Sequence, residues 1–415
     1  MKILLVNQPL NNRGDESAHK ALVRTIIKEM PDVELTVLFL NKREERIGDS
    51  VKHFAVQSPQ VKYRIFSPLL SKGMYSVMKK GQKTGKHALW FLHPALAQYM
   101  SYFKKADIVV CAPGGMCMGG FQDWKHLFNL QCAKLYNKPL AYFGRSIGPF
   151  PTVTENNRIF KQISMEMLEY FSFLSIRDNK SLIFVKELGI MNCQSVVDTA
   201  FLETPNVPIP NEIIQSIGNS DYFVFVPNLL IWHPAYIGRV TKECIIDFYI
   251  KLLEEMFKTF PQYKVVMLPQ TFNSRDSDWN DVNLFRSIAR KVNDSRVVVI
   301  NDQYNSDIQQ TIISKSKIVV GARYHSIVFA LNNNVPFISL SYEHKMEGLL
   351  QTLGDTSSMI NIENLFTTKD SQTAVLRQFR EKLQSLKYNS CIGEKAKNIV
   401  YQGFIEFKKF VDCHR

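Results

Sequence analysis

The stretch KIVVGARYHSIVFALNNNVPFISLSYEHK, residues 317–345, decides the fold class of this chain of 415 residues. Residues 317–320 are a short apolar run, long enough for a buried parallel strand, that ends at Gly321. Residues 326–331 are apolar on most sides and predict a buried helix, and residues 335–341 predict a second strand. A strand, a helix and a strand in this order predict one βαβ unit of an open α/β fold.

Arg323 and His325 lie two residues apart between the first strand and the helix. In an extended turn this spacing directs both side chains the same way, towards the carboxyl edge of the sheet, where open α/β folds bind ligands. A helix start favours anions, and the forked guanidinium of Arg323 suits phosphate or carboxylate. His325 can exchange a proton near neutral pH. A structural ion pair of Arg323 beside a buried histidine explains the same pattern, and this stretch alone leaves both interpretations open.

Strand and helix patterns alternate on both sides of a proline-rich segment, which predicts two α/β domains. The segment 203–210 contains Pro205, Pro208 and Pro210 and indicates a stiff linker. We therefore predict an N-terminal domain at residues 1–204, a linker at 205–220, a second domain at 221–365 and C-terminal helices at 366–415.

The segment GARYHSIVFALNNNVPFISLSYEHKMEGLLQTLG resembles the C-terminal signature of the polysaccharide pyruvyl transferases. That signature is a glycine, Arg-x-His, an apolar helix, a Val-Pro strand and Tyr-x-x-Lys. The turn at residues 7–15, with its Asn…Gly-Asp, and the sequence GRSIGP at 144–149 are similar to N-terminal motifs of the same family. The resemblance covers most of residues 1–355 and implies two Rossmann-like domains facing a cleft, similar to GT-B glycosyltransferases.

The resemblance implies transfer of pyruvate from phosphoenolpyruvate to two hydroxyls of a sugar, which gives a cyclic ketal. His325 is then the candidate general acid, and Asp15 or Glu343 is the candidate base, although an Asp in the position of Asp15 is more often simply a helix cap. The residues expected to bind the donor or the acceptor are Arg323, Lys345, Ser326, Gly321, Arg145, Gly114, Gly115 and Asn12. Some relatives hold the donor with a further arginine after the first strand of the second domain, but residues 227–233 read PNLLIWH here.

Two other functions fit the same fold. A nucleotide-sugar glycosyltransferase of GT-B type would use Arg323 and the helix start for a diphosphate. A non-catalytic carbohydrate-binding scaffold would retain the fold without activity, although Arg323, His325 and Lys345 argue against that interpretation.

Seven cysteines are scattered along the chain without Cys-x-x-Cys or Cys/His clusters. We therefore expect no zinc site, no disulfide framework and no cofactor, with phosphoenolpyruvate as the donor substrate. The N-terminal run has four successive apolar residues and predicts a strand rather than a signal peptide. A cytoplasmic protein, either free or peripheral on the inner face of the cell membrane, fits these features.

The formal net charge of +13 is concentrated in a segment at about residues 50–105, called here the basic segment. It contains no acidic residue between Asp49 and Asp107, and its cations are Lys52, Lys62, Arg64, Lys72, Lys79, Lys80, Lys83, Lys86, Lys104 and Lys105. Interleaved apolar residues predict a surface for anionic lipid, with Trp90 and Phe91 inserting, where an acceptor on polyprenyl diphosphate would be met. A merely solvated basic face explains the charge as well. Nucleic acid is not expected, because no nucleic-acid motif accompanies it.

Overall fold

The computed structural model of this chain describes residues 1–10, 12–40, 51–66, 72–115, 117–233, 236–272, 277–278, 280–386 and 390–415. The chain forms two compact units. The first unit contains Met1–Leu10, Asp15–Leu202 and Asn398–Arg415, and the second contains Asn11–Gly14 and Glu203–Lys397. The chain therefore leaves the first unit at Leu202, where the proline-rich segment begins.

Parallel strands form the sheet of the first unit. Within the described ranges they are β1 (Lys2–Val6), β2 (Glu34–Leu40), β3 (Val61–Phe66), β4 (Ile108–Cys111), β5 (Leu140–Arg145), β6 (Phe173–Ile176) and β7 (Gln194–Ser195). Their order across the sheet is β3-β2-β1-β4-β5-β6-β7. The central strands are continuous apolar runs because helices cover both faces of a parallel sheet. Since the strand order reverses between β1 and β4, the carboxyl ends of these two strands mark the usual ligand edge.

Within the described ranges, the helices of the first unit include α1 (Arg13–Glu29), α2 (Lys72–Thr84), α3 (Ala88–Phe91), α4 (Pro94–Lys105), α5 (Trp124–Leu135), α6 (Glu155–Tyr170) and α7 (Asn179–Glu187). Apolar residues of these helices and of both sheet faces form its core. The first two residues of α1 are grouped with the second unit.

The basic segment is an integral part of the first unit. It supplies β3, which pairs with β2, and helices α2, α3 and α4. Trp90 is completely buried, its indole Nε1 donates to the carbonyl of Met78 at 3.1 Å, and its ring lies edge-on to Phe128 at 4.8 Å. The prediction that Trp90 inserts into a membrane is therefore wrong, because this side chain belongs to the core.

The second unit contains a second parallel sheet. Its strands in the described part of the chain are β8 (Tyr222–Val226), β9 (Lys264–Met267), β10 (Val297–Val299), β11 (Ile318–Gly321), β12 (Phe337–Ser341) and β13 (Met359–Asn361). Their order is β10-β9-β8-β11-β12-β13, so the reversal falls between β8 and β11. The stretch that decided the fold class is thus β11, a helix and β12, at the centre of this sheet.

The helices of the second unit are α8 (Asn211–Ile217), α9 (Lys242–Thr259), α10 (Asp281–Val292), α11 (Ser306–Ser314), α12 (Tyr324–Asn332), α13 (His344–Leu353) and α14 (Lys369–Ser385). The two predicted C-terminal helices belong to different units. Helix α14 packs on α9, where Arg380 makes two contacts of 2.6 and 2.9 Å with Glu255. The following helix, α15 (Ser390–Asp412), joins the first unit from Asn398 onwards, and its Phe407 stacks on Phe143 at 5.4 Å. Among the described helices, none has the length and apolar character needed to cross a membrane.

Candidate functional site

Buried polar atoms without a partner collect at the carboxyl edge of the second sheet. Within the described residues, no hydrogen-bond partner exists for Oδ1 of Asn228, Nε2 of Gln270, Oγ1 of Thr271 or Nε of Arg323. These residues follow β8, β9 and β11, three neighbouring strands on both sides of the reversal in strand order. Because buried polar atoms are nearly always hydrogen-bonded, their collection at this edge indicates a ligand site.

Arg323 is paired with Asp281 at this edge. A terminal nitrogen of the guanidinium contacts Oδ1 of Asp281, and the two side chains are 15% and 2% exposed. Burial opposes the charge of the guanidinium, but Asp281 and Tyr342 outweigh this effect and raise the pKa of Arg323. The ion pair that the sequence left open is therefore present, yet it does not use all the donors of this arginine.

Asp281 links the turn after β9 to Arg323. Its Oδ2 accepts hydrogen bonds from the backbone N–H groups of Gln270 at 3.0 Å and Thr271 at 2.9 Å. Asp281 is not among the site residues predicted from the sequence. Its only sequence signal is an acidic residue in the first turn of α10, which is common at any helix start and does not distinguish a site residue.

The turn after β11 differs from the predicted one in where the helix begins. Helix α12 starts at Tyr324, and Arg323 is its N-cap residue with φ −102° and ψ 132°. The prediction of an extended turn through His325, with a helix from Ser326, is therefore wrong, since His325 lies in the first helical turn.

Ser326 and Gly321 shape this turn from within. The hydroxyl of Ser326 donates to the carbonyl of Arg323 at 2.5 Å. A Cβ atom on Gly321 would lie 2.0 Å from Oγ of Ser326, so only glycine fits beneath the hydroxyl. Both residues were predicted to bind substrate; in the structure the hydroxyl of Ser326 holds the backbone of Arg323, and Gly321 leaves the space for that hydroxyl.

His325 packs against the beginning of the chain. Its side chain is 5% exposed, and the ring lies edge-on to Tyr324 at 5.0 Å. A Cβ atom on Gly14 would lie 1.8 Å from both Cγ and Nδ1 of the imidazole. The absence of a side chain at Gly14 is therefore a condition for the observed position of His325.

Within the N-terminal turn, the segment Asn11–Gly14 groups with the second unit, whereas the residues on both sides of it group with the first. Asn12 forms a β-bridge with Thr271, and the backbone N–H of Arg13 donates to the carbonyl of Gln270 at 2.9 Å. Oδ1 of Asn12 accepts from the N–H of Gly14 at 2.7 Å, as an N-cap side chain does. Asn12 thus lies beside the turn that Asp281 ties to Arg323.

Asn228 follows β8, and two tyrosines hold its side chain and its backbone. Nδ2 of Asn228 donates to the hydroxyl of Tyr342 at 2.9 Å, and its backbone N–H donates to the hydroxyl of Tyr249 at 3.1 Å. Burial raises the pKa of both tyrosines, so their hydroxyls are neutral. The amide of Asn228 is therefore fixed, with Oδ1 still without a partner in the described part of the chain.

Glu343 and Lys345 form an ion pair at the end of β12, with Nζ and Oε1 2.8 Å apart and side chains 14% and 22% exposed. Burial alone would raise the pKa of Glu343, but Lys345 and the hydroxyl of Tyr342 lower it below its usual value. Glu343 is therefore a carboxylate with weakened basicity. Tyr342 joins this pair to Asn228.

In the first unit, Arg145 is fully buried and braces the glycine-rich loop. Its Nε donates to the carbonyl of Gly115 at 3.1 Å, and its terminal nitrogens donate to the carbonyls of Ala112 at 2.7 Å and Asn7 at 3.4 Å and to Sγ of Cys117 at 3.0 Å. The expectation that Arg145 faces a cleft is therefore wrong, because backbone carbonyls and a thiol occupy its donors.

Asp15 lies beside the same loop and is 8% exposed. A Cβ atom on Gly114, which has φ 149°, would lie 3.0 Å from Oδ1 of Asp15 and 3.6 Å from a terminal nitrogen of Arg145. At Gly115 a Cβ atom would meet nothing within 4 Å. Gly114 is thus enclosed and Gly115 borders open space. Since Asn12 supplies the cap of α1, capping does not explain Asp15.

The predicted site residues divide between the two units. The second unit brings together Asn12, Gly321, Arg323, His325, Ser326, Glu343 and Lys345, and the first unit contains Asp15, Gly114, Gly115 and Arg145.

The chain matches a family model along most of its length. The model, described as polysaccharide pyruvyl transferase, covers residues 12–344. The amylovoran biosynthesis protein AmsJ of Erwinia amylovora is 25% identical over 389 residues, which cover 88% of this chain and 89% of that protein.

Similar solved structures have the same fold at low sequence identity. A putative UDP-N-acetylglucosamine 2-epimerase from Listeria monocytogenes has TM-score 0.55 at 13% identity and covers 95% of this chain and 93% of its own. The UDP-GlcNAc 2-epimerase from Neisseria meningitidis has TM-score 0.55 at 14% identity, with 98% and 100% covered. UGT89C1 of Arabidopsis thaliana has TM-score 0.55 at 13% identity, with 98% of each chain covered. The likeness shows a two-domain α/β fold of GT-B type.

Proposed function

The chain belongs to the polysaccharide pyruvyl transferase family, and we propose that it transfers pyruvate from phosphoenolpyruvate to a sugar of a cell-surface polysaccharide precursor, forming a pyruvate ketal. The similarity to an amylovoran biosynthesis protein supports a polysaccharide precursor as the acceptor. The observation that carries the proposal is the edge of the second sheet, where Nε of Arg323 has no partner within the described residues and lies among the buried polar atoms of neighbouring turns.

Phosphoenolpyruvate carries a phosphate and a carboxylate, so its site requires cations and N–H donors. Arg323 supplies a forked cation at the N-terminus of α12, where the helix dipole favours an anion. Lys345 supplies a second positive charge at the end of the adjacent strand β12.

Ketal formation requires two additions at C2 of the donor and the loss of phosphate. The methylene carbon takes a proton, C2 bonds to the first sugar oxygen, the bond from C2 to the phosphate oxygen breaks, and the second sugar oxygen takes its place. The proton released by the first sugar hydroxyl restores the proton that the general acid gave to the methylene carbon. The proton released by the second sugar hydroxyl leaves with the phosphate. His325 is assigned the proton transfer to carbon, because it lies two residues from Arg323 in the first turn of α12.

Two carboxylates compete for the role of base. Glu343 is in the second unit, but Lys345 and Tyr342 lower its pKa and make it a weak base. Asp15 is in the first unit beside the open position at Gly115. Glu343→Gln and Asp15→Asn distinguish them, because the true base is needed for turnover and not for donor binding.

The direct test is incubation of the protein with phosphoenolpyruvate and candidate sugars, free or lipid-linked. We expect release of phosphate in equal amount to a product whose mass exceeds the acceptor by pyruvic acid minus water. Turnover of a UDP- or GDP-sugar without phosphoenolpyruvate would instead identify a glycosyltransferase. Donor binding without phosphate release on any acceptor would favour a non-catalytic scaffold.

We expect Asp281→Asn to lower the free energy of unfolding by about 1–3 kcal/mol, because Arg323 loses its charged partner while the acceptor for Gln270 and Thr271 remains. Phosphoenolpyruvate should then raise the unfolding midpoint more in the variant than in the wild type, since the bound anion becomes the counter-charge of Arg323. Thermal unfolding with and without the donor measures both effects.

The matched control is Asp278→Asn, which removes an exposed carboxylate paired with Lys242 at 2.7 Å in the same unit. It should change neither the midpoint nor the shift caused by the donor. Equal donor-induced shifts in the wild type and in Asp281→Asn would mean that the anion does not bind at Arg323.

We expect activity to persist in the presence of a chelator such as EDTA. Among the residues that the structure describes, no group of three or more His, Cys, Asp or Glu side chains is arranged to hold a metal ion. The cations that face the donor in this proposal are Arg323 and Lys345. Phosphate release measured with EDTA and after addition of magnesium tests this, and loss of activity that magnesium restores would contradict it.

A further inference from the structure

Three lysines of the basic segment are exposed and unpaired. Lys80 and Lys83 lie on the exposed face of α2, and Lys86 follows this helix. None of the three forms an ion pair with another residue of the described ranges. In contrast, the exposed Lys258 and Lys409 pair with Glu255 and Glu406. Within the described ranges, no ion pair thus neutralises these three lysines at α2.

Lys79 adds to the crowding of positive charge on α2. Its Nζ lies 4.7 Å from the centroid of the Trp124 ring, and Nζ of Lys83 lies 5.9 Å from the same ring. Burial and the neighbouring charge of Lys83 lower the pKa of Lys79. The nearby Asp123 is engaged as the N-cap of α5, where it accepts from the N–H of Lys125 at 3.0 Å. Positive charges are therefore held close together at this surface.

Two apolar side chains are exposed immediately after these lysines. Phe91 is 48% exposed and Leu92 is 78% exposed. Trp90, the residue before them, is completely buried and fixes α3 to the core. Its indole N–H donates to the carbonyl of Met78, and its ring stacks on the ring of His87 with centroids 4.5 Å apart. Phe91 and Leu92 are thus presented outwards by a fixed turn.

We propose that the surface formed by Lys80, Lys83, Lys86, Phe91 and Leu92 docks on an anionic lipid bilayer. Unpaired lysines are attracted to anionic headgroups, and adjacent exposed apolar side chains enter the interface between headgroups and acyl chains. The charge alone would also suit nucleic acid, but an exposed leucine beside it has no use on a phosphate backbone. The proposal goes beyond the transfer reaction and does not depend on it.

The test is co-sedimentation of the whole protein with vesicles. One set consists of phosphatidylcholine alone, and the other of phosphatidylcholine with one third phosphatidylglycerol. We expect binding only to the anionic vesicles at low salt, with release as salt screens the charges. The salt titration uses the wild type, so this part does not depend on the folding of any variant.

Variants separate the contributions of charge and apolar insertion. Lys80→Gln with Lys83→Gln and Lys86→Gln should lower the partition coefficient roughly 100-fold. Leu92→Ser, which leaves the charge unchanged, should lower it roughly tenfold. The matched control, Lys258→Gln with Lys397→Gln and Lys409→Gln, removes the same charge from lysines that are already paired with glutamates. It should bind as the wild type does.

Three results would overturn the proposal. The first is a wild type that ignores the anionic vesicles at low salt. The second is equal loss of binding in the control and in the lysine variant, which would show an effect of net charge only. The third is binding of duplex RNA or DNA without binding of vesicles. Unfolding midpoints of all variants establish that they are folded.

Discussion

Replacing His325 with alanine is expected to lower the turnover number for ketal formation by about 100-fold or more, because the residue assigned to protonate the methylene carbon is lost. Binding of phosphoenolpyruvate should be retained, since Arg323 and Lys345 supply the charge. Single-turnover phosphate release and donor binding by calorimetry measure the two effects separately.

A packing role of His325 can be separated from a chemical role with Gly14. In Gly14→Ala the new methyl group would meet the imidazole at 1.8 Å, so this variant should lose both stability and activity. In the double variant Gly14→Ala with His325→Ala, the methyl group occupies the space that the ring has left. We expect the unfolding midpoint to recover and the turnover number to stay low.

Recovery of the turnover number in that double variant would show that His325 has a packing role and no chemical role. His233 and His344, the other histidines close to Tyr342 and Glu343, provide comparisons. Alanine at either position should cost much less turnover than His325→Ala, and an equal or larger loss would move the proton transfer to that residue.

Arg323→Lys is expected to raise the Michaelis constant for phosphoenolpyruvate about 10- to 100-fold. A lysine retains the positive charge, but it cannot contact Asp281 and an anion with a planar fork at the same time. The loss of one charge-assisted hydrogen bond, worth about 1.5–3 kcal/mol, accounts for this range. Initial rates over a range of donor concentrations give the constant.

Arg296→Lys is the control for this change. Arg296 also pairs with an aspartate of the same unit, Asp294, but its side chain is 33% exposed. The Michaelis constant of this variant should equal that of the wild type. An unchanged constant in Arg323→Lys would remove Arg323 from the donor site and leave its ion pair with Asp281 as its whole role.

The sequence by itself determined the fold class and the central position of the signature stretch. The central strands of a parallel sheet are covered on both faces, so nearly all of their side chains are apolar. This requirement is visible in the sequence as an uninterrupted apolar run, such as the one that contains Val319 and Val320 in β11. The first unit ends near Leu202, where the proline-rich segment begins, and the stiffness of such a segment can be recognised from its prolines alone. Arg323 was correctly located at the carboxyl end of a central strand, because the strand and the helix on its two sides are both visible in the sequence.

Only the tertiary structure decided which side chains meet. Asp281 lies 42 residues from Arg323, and an acidic residue in the first turn of a helix looks the same whether it caps a dipole or holds a guanidinium. The position of Gly14 against His325 depends on the folded path of both ends of the chain. The periodicity of a sequence indicates on which side of its own helix or strand a residue lies. The contacts and the burial of that residue depend on which other parts of the chain pack against that side. For this reason Trp90 and Arg145, polar-tipped residues predicted at surfaces, proved to be buried.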